Sequence, residues 1–582
     1  MTDRLAFLYP EMALFAGTCV VMVLGLSRTL RTRKASASVA AVSLIVAGFL
    51  ALVSTPRPGE ASCPITGIVF DHGLTPEAGQ VLLPNLAPFM KVVIAGVGLL
   101  LLLTMAGTVD RRDEESIAAG TRTFDPLRSN RAEFYAFFLF SLTGLMLTAS
   151  ADDLIWLFLA LELTSLPTYI MVAVSTSRNR SREAGVKYFF LGALGAAVFL
   201  YGFALIYGGT GSTNLNEIAA AWRDQGVGPI SLAGILLAVV GLAFKIAAVP
   251  MHYYTPDVYE GAAPQVSGFL AFVPKAAGFI ALLLVCAAVG WRFGGDALGV
   301  NSPLSSAAPA PARGGGGTQL PEVLRLTLWV MAALTMTVGN VLAVLQKNIK
   351  RVLAYSSIAH SGYMLVGVVA GPVGETFTRN GVGAVLFYIA AYGVMNTGAF
   401  AVLAALERDR DASGEPGEVE TYDDLRGLCA ARPLHGWTFV VCSLSLLGLP
   451  PLLGFFGKLP LFTAGIAANE IALVVILGVN SAIGAYYYLR LAFTPLLEQP
   501  EDGAEPVRVA PFRARTIAGA ISAGGVLVLS VLGGPLMRAS SQAATTKMAV
   551  PPRVETSDAL GDDVAPVPVN DPRSATPDAD GH

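Results

Sequence analysis

Five side chains are placed where ionisable groups are costly. Glu162, Lys245, Lys275, Lys458 and His360 each fall inside a long apolar stretch. An ionisable group at mid-membrane costs several kcal/mol and so needs a partner, water or a task. Glu162 lies ten residues past Asp152, which marks a membrane surface, so at 1.5 Å per helical residue it sits about 15 Å deep. Lys275 is eleven residues into its stretch, beside Pro274. Lys245 stands just before Pro250, and Lys458 just after Pro450-Pro451. One carboxylate and three lysines in such places suit a proton relay. Burial disfavours the charged form of a lysine, and a neighbouring carboxylate favours it. Approach and separation of Glu162 and Lys245 would therefore hold and release a proton, with Lys275 and Lys458 as further stations. Ser356, Ser357, His360 and Tyr363 offer hydrogen-bonding links along one helix.

Bland readings stand beside these. Glu162 and Lys245 can form a static salt bridge, Lys275 can snorkel to a headgroup, and His360 can be a helix-packing histidine. Lys91, Glu133 and Lys187 lie near stretch ends and read as interfacial. Tyr486, Tyr487 and Tyr488 read as packing or interface anchors rather than a quinone site.

The elements that must position these groups follow from composition. Of 582 residues, 54% are hydrophobic and 14% charged, against about 25% charged in soluble domains. Apolar runs of roughly 18 to 30 residues suffice to cross the hydrocarbon layer. About fourteen spans are predicted, at 5–27, 36–54, 81–107, 132–150, 153–175, 187–209, 229–250, 264–290, 322–345, 352–371, 380–406, 434–463, 468–495 and 513–536. Basic residues concentrate in the odd-to-even loops, for example Arg28, Arg31, Arg33 and Lys34 after span 1 and Lys347, Lys350 and Arg351 after span 9; only the loop after span 7 has none. By the positive-inside rule those loops are cytoplasmic and both termini lie outside. Arg4 and the apolar run containing Glu11 read as a retained first helix rather than a signal peptide.

Spacing adds an internal symmetry. Pro250 and Pro450 lie 200 positions apart, and Glu162 and His360 lie 198 apart. Proline removes a backbone donor and clashes one turn back, so spans 7 and 12 should break within the membrane. The shift is five spans, an odd number, so the second copy must be inverted. Paired broken helices in inverted repeats are the signature of a transporter with an ion site near the midplane. The expected fold is an all-α polytopic membrane protein with N-terminal helices over 1–131 and a first repeat of helices 4–8 over 132–290. A flexible loop follows over 291–321, with Pro-Ala-Pro-Ala and four glycines within 303–317. The second repeat, helices 9–13, occupies 322–495, the helix 14 region 496–539, and a Pro/Ala/Asp-rich disordered tail 540–582.

Cys19, Cys63, Cys286, Cys429 and Cys442 form no C-x-x-C pair and are read as structural. The histidines are scattered, and no G-x-G-x-x-G or P-loop occurs. No iron–sulfur, zinc, flavin or nucleotide site is expected in this chain, nor any nucleic-acid partner.

Several stretches carry a resemblance. Leu161-Glu162-Leu163-Thr164-Ser165-Leu166-Pro167, Phe244-Lys245, Val249-Pro250-Met251-His252 and Thr255-Pro256-Asp257-Val258-Tyr259-Glu260-Gly261-Ala262 are among them. So are Gln346-Lys347-Asn348-Ile349-Lys350-Arg351, Tyr355 through Tyr363, Gly454-Phe455-Phe456-Gly457-Lys458 and Ser481 through Arg490. They resemble the antiporter-like subunits of proton-pumping NADH–quinone oxidoreductase (respiratory complex I), the subunit N family most closely, from about 130 to 495. The resemblance implies a proton path through Glu162, Lys245, Lys275 and Lys458. It also implies a hetero-oligomer with other membrane subunits in a bacterial inner membrane. NADH, FMN, iron–sulfur clusters and quinone would then belong to partner subunits. Rival readings are a subunit of a multi-subunit sodium/proton antiporter, a non-transporting scaffold, or a membrane subunit of a hydrogenase-like complex.

Overall fold

Apolar stretches of the predicted lengths become helices. The computed structural model describes residues 7–53, 82–83, 85–125, 129–176, 178–291, 321–374, 376–410, 416–500 and 507–544. The 303–317 loop, Cys63 and residues 545–582 of the tail lie outside the described residues. Among the described residues, eleven helices are long and apolar enough to cross a membrane, and four shorter apolar helices accompany them.

In chain order, α1 is Tyr9–Gly25, α2 Ser36–Val53, α3 Leu86–Thr104, α4 Arg131–Ala149, α5 Leu154–Val174 and α6 Asn179–Thr210. A broken pair follows, α7a Pro229–Lys245 and α7b Thr255–Gly261, then α8 Pro264–Val289, α9 Glu322–Val344, α10 Ile349–Ala370 and α11 Gly381–Ala405. A second broken pair, α12a Pro433–Leu447 and α12b Leu453–Ala467, precedes α13 Ile471–Leu497 and α14 Arg513–Leu532. A final helix, Gly534–Ala543, carries regular structure into the first residues of the predicted tail. Every predicted span has a helix or a broken pair over it. The largest boundary errors are at α7b, which ends eleven residues after the predicted 250, and at α6, which starts eight residues before the predicted 187. The first two turns of α6 are too polar to read as a span, yet they are helical and held by ion pairs such as Lys187–Glu183 at 2.7 Å.

Burial sorts the helices. Almost every residue of α8, α10 and α11 is buried, whereas α1, α2, α6 and α14 expose large apolar side chains such as Phe15, Phe49, Phe190 and Val531. A helix that is apolar all round belongs in a protein core or against lipid, and this bundle contains both kinds. At the end of α11 a small antiparallel sheet forms, in the order β2-β1-β3, from β1 Leu406–Arg410, β2 Pro416–Glu418 and β3 Arg508–Val509. Nothing in the span pattern predicts it.

The repeat is visible in backbone contacts. Asp153 caps α5, its side chain accepting from the backbone of Ile155 and Trp156, and Asn348 caps α10 by accepting from Arg351. Each cap is bridged antiparallel to the loop after the next helix, Asp153 to Asn214 and Asn348 to Thr421. The helices start alike, with Leu154 N–H donating to Thr213 O at 2.8 Å and Ile349 N–H to Glu420 O at 2.7 Å. Gly144 of α4 lies against the backbone nitrogen of Thr164, and Gly339 of α9 against that of Ala359. The caps, the glycines and the residues the glycines meet are all offset by 195 positions, and the bridged loop residues by 207. In this register Glu162 and Ser357 are each the ninth residue of their helix, and Ser165 and His360 each the twelfth. The 198-residue pairing of Glu162 with His360 is thus replaced by Glu162 with Ser357.

Both glycines are required by close approach, since a Cβ would collide with backbone that has no rotamer to change. Gly144→Ala and Gly339→Ala are each expected to destabilise the fold by about 1–3 kcal/mol through overpacking. Thermal unfolding of the detergent-solubilised protein would read this as a lowered midpoint; an unchanged midpoint would contradict the packing argument.

Candidate functional site

The two breaks free backbone groups in the bundle interior, where each must find a partner. The chain leaves α7a at Lys245, Ala247 takes φ 54°, and Val249-Pro250 is cis; Pro450-Pro451 is also cis. Freed carbonyls are met by side chains. Phe244 O accepts from Tyr254 Oη at 2.8 Å, and Ile246 O from Ser361 Oγ at 2.6 Å. Val249 N–H donates to Thr335 Oγ1 of α9 at 2.9 Å. In the second break, Leu447 O accepts from Lys458 Nζ at 2.6 Å. The lysine on α12b therefore caps the carbonyl end of α12a.

Lys245, the last residue of α7a, points at α5. Its Nζ lies 3.0 Å from Glu162 Oε1, donates to Ser165 Oγ at 2.5 Å, and sits 5.6 Å from the Phe199 ring centre. The lysine side chain is 1% exposed and the carboxylate 18%, so the pair is sealed on one side only.

A small cavity separates this pair from Lys275, at the scale of a single water molecule. Lys245, Lys275, Tyr188, Thr255, Tyr259 and Pro274 contribute to its wall. Thr255 Oγ1 is buried and finds no hydrogen-bond partner among the described residues. A polar lining with an unmet hydroxyl is what a buried water requires. Pro274 lies within α8 and cannot donate to the carbonyl one turn back, that of Leu270, another residue of the cavity wall.

Lys275 reaches α10. Its Nζ donates to both the carbonyl and the hydroxyl of Ser357 and lies 5.7 Å from the Tyr392 ring centre. Tyr259 Oη of α7b is 3.4 Å from the same hydroxyl. Unlike Lys245, Lys275 forms no salt bridge among the described residues, and neither does Lys458. His360, fully buried, is held between two phenols, with Nδ1 2.5 Å from Tyr388 Oη and Nε2 2.6 Å from Tyr488 Oη. Ser356 Oγ also bonds Tyr488 Oη. Lys458 stands apart from this hydrogen-bonded set. It lies 4.9 Å from the Tyr363 ring centre, and Tyr363 contacts the His360 ring edge-to-face at 5.5 Å.

All five predicted residues thus converge on α5, α7, α8, α10 and α12, but in two clusters. Lys245, with Glu162 paired to it, and Lys275 line the cavity, whereas His360 on α10 and Lys458 on α12b meet on either side of Tyr363. Sequence reasoning missed Ser165, Thr255, Tyr259, Tyr388 and Tyr392. Tyr388 and Tyr392 stand four apart on α11; Tyr388 bonds His360, while the Tyr392 hydroxyl is buried with no hydrogen-bond partner among the described residues, and neither role shows in a run of apolar sequence. The Tyr486–Tyr488 run divides: Tyr486 is exposed, as an interface anchor should be, while Tyr488 is buried against His360. Lys91 does not face outward. It is buried and paired with buried Glu11 at 2.9 Å, and Glu11 also accepts from Ser150 at 2.9 Å.

Comparison with known proteins places this geometry. Residues 151–292 and 320–484 match the membrane family described as NADH:quinone oxidoreductase/Mrp antiporter. The NADH-quinone oxidoreductase subunit N of Myxococcus xanthus is 38% identical over 450 residues, 72% of this chain and 79% of that protein. A subunit N of Solibacter usitatus is 33% identical over 93% of this chain and 97% of its own length. A chain in the structure of respiratory complex I from Thermus thermophilus with bound aureothin superposes with a TM-score of 0.67 at 31% identity, covering 92% of this chain and 99% of that one. The chain belongs to the NADH:quinone oxidoreductase/Mrp antiporter membrane family, and within it to the subunit N proteins of NADH–quinone oxidoreductase.

Proposed function

We propose that this chain translocates protons as the subunit N of a bacterial NADH–quinone oxidoreductase, through Glu162, Lys245, Lys275, His360 and Lys458. The observation that carries the reading is the shared cavity between Lys245, salt-bridged to Glu162, and Lys275, held by Ser357. While Glu162 stays close, Lys245 keeps its proton. When the carboxylate moves away, the ammonium loses its counter-charge in a low-dielectric setting and gives the proton up. A water in the cavity carries it to Lys275. From there the hydroxyls and phenols along α10 and α11 lead past His360 toward Lys458. The subunit crosses the bacterial inner membrane fourteen times, with both termini outside and the basic loops in the cytoplasm. Other membrane subunits of the complex flank it. NADH, FMN, iron–sulfur clusters and quinone belong to partner subunits, and this chain contributes no redox centre.

The test is NADH-driven proton uptake by inverted membrane vesicles in sodium-free buffer, with the intact complex followed on native gels. Uptake without sodium, in a complex that oxidises NADH, supports the proposal. Uptake that requires a sodium gradient and no NADH would favour the antiporter reading. Thr255 gives a finer prediction. Thr255→Val keeps the shape of the side chain but cannot bind the bridging water, and is expected to slow uptake about tenfold or more, whereas Thr255→Ser stays near the native rate. Equal rates for the two variants would remove Thr255 from the path.

A further inference from the structure

Lys350 is the second residue of α10, among the basic residues that the sequence assigns to a loop, yet it is 1% exposed. Its Nζ donates to Ala262 O at 2.9 Å, at the carboxyl end of α7b, and lies 2.5 Å from Glu418 Oε2. Glu418, in β2, turns its other oxygen to Arg178 at 3.1 Å, and its side chain is 14% exposed. One carboxylate oxygen therefore faces a partly exposed guanidinium and the other a sealed ammonium. The surrounding charges are paired among themselves, Arg351 with Asp257 and Glu260, and Arg180 with Glu260 and Glu420.

Two further placements link this pair to the interior. Lys350 precedes Ser357, the acceptor of Lys275, by seven residues on α10, which is two turns on the same helix face and about 10 Å. The helix that Lys350 caps, α7b, also carries Thr255, Val258 and Tyr259 along the cavity wall. A buried ion pair is a weak source of stability compared with apolar side chains of equal volume, so its presence over this route calls for another account.

We propose that Glu418 and Lys350 form the mouth through which protons enter the relay from the face with the basic loops. This rests on the relay reading above. The Lys350 ammonium passes a proton inward toward Ser357 and Lys275 and becomes an amine. Protonated Glu418 then gives its proton to that amine, restoring the ammonium and the carboxylate, and water outside recharges the carboxylate.

Arginine separates this role from a structural one, because a guanidinium keeps the ion pair but does not release its proton. In inverted vesicles, Lys350→Arg is expected to assemble, to oxidise NADH normally with an artificial acceptor that bypasses quinone, and to take up protons about tenfold more slowly or worse. Glu418→Gln, which retains a hydrogen-bonding oxygen for Lys350 but cannot carry a proton, should behave alike. Native uptake in assembled Lys350→Arg overturns the proposal. Should Lys350→Arg fail to assemble, native uptake in Glu418→Gln overturns it equally. Lys275→Met in the same vesicles keeps the two readings apart. If Lys275→Met pumps, the relay itself fails; if it does not pump while Lys350→Arg does, only the mouth fails.

Discussion

Lys245→Ala is expected to abolish NADH-driven proton uptake and to weaken the complex as well. The substitution removes the ammonium 3.0 Å from Glu162 and leaves a carboxylate that is 18% exposed without its counter-charge. Breaking a buried pair from one side typically costs about 3–5 kcal/mol, because the surviving charge is uncompensated. Less assembled complex should therefore appear on native gels, and the complex that does assemble should neither pump nor sustain coupled NADH oxidation. Removing both charges distinguishes the two effects. The Glu162→Gln, Lys245→Met double variant should recover assembly, since no orphan charge remains, while uptake stays lost. Unchanged uptake with normal NADH oxidation in Lys245→Ala would sink the relay and leave a static salt bridge.

Lys275→Met is expected to behave differently, because Lys275 balances no carboxylate. Its partners are the carbonyl and hydroxyl of Ser357. When the ammonium is gone, that carbonyl keeps its place in the backbone ladder of α10 and the hydroxyl keeps Tyr259 at 3.4 Å. Methionine is unbranched and flexible enough to fill the space in the apolar core. Assembly should thus stay near native, while uptake falls about a hundredfold or more, as for loss of a positioned proton-transfer group. Dye-quench assays in inverted vesicles with a native gel alongside measure both. A methionine variant that pumps at the native rate would exclude Lys275 from the path; one that fails to assemble would make Lys275 a structural residue first.

The contrast between these two lysines is a property of packing that the sequence does not display. Both are lysines in apolar stretches near a proline, and composition treats them alike. What separates them is the face of α5 or α10 that each meets, Glu162 in one repeat and Ser357 at the same helical position in the other. The repeat thus offers the same place twice and fills it with a carboxylate once.

Much of this protein is determined by the sequence acting locally. Runs of apolar residues of membrane length can satisfy their backbone only as helices, so α1 to α14 follow from hydropathy with modest errors at their ends. Pro250 and Pro450-Pro451 mark the two breaks, since proline removes a backbone donor and clashes one turn back, yet Pro167 and Pro274 stay inside α5 and α8, so which prolines break a helix is set by the packing around them. Five costly charges marked the region of the site for the same reason, since they could not be there without partners. Tertiary structure decided the rest. Lys350 and Lys91 are buried, though one reads as a loop cation and the other as an interfacial residue, and Arg515 is buried as well. Arg515 donates to Ala106 O at 2.8 Å and to Ala404 O at 2.6 Å, tying the ends of α3 and α11 to α14. Thr255, Tyr259, Tyr388 and Tyr488 acquire their places only where α7b, α10, α11 and α13 meet. A hydroxyl's role depends on which unmet donor or acceptor lies within hydrogen-bonding reach, and these partners are separated by scores of residues along the chain. Spacing in sequence encodes a helix and its faces; which faces come together is decided by the packing of the whole bundle.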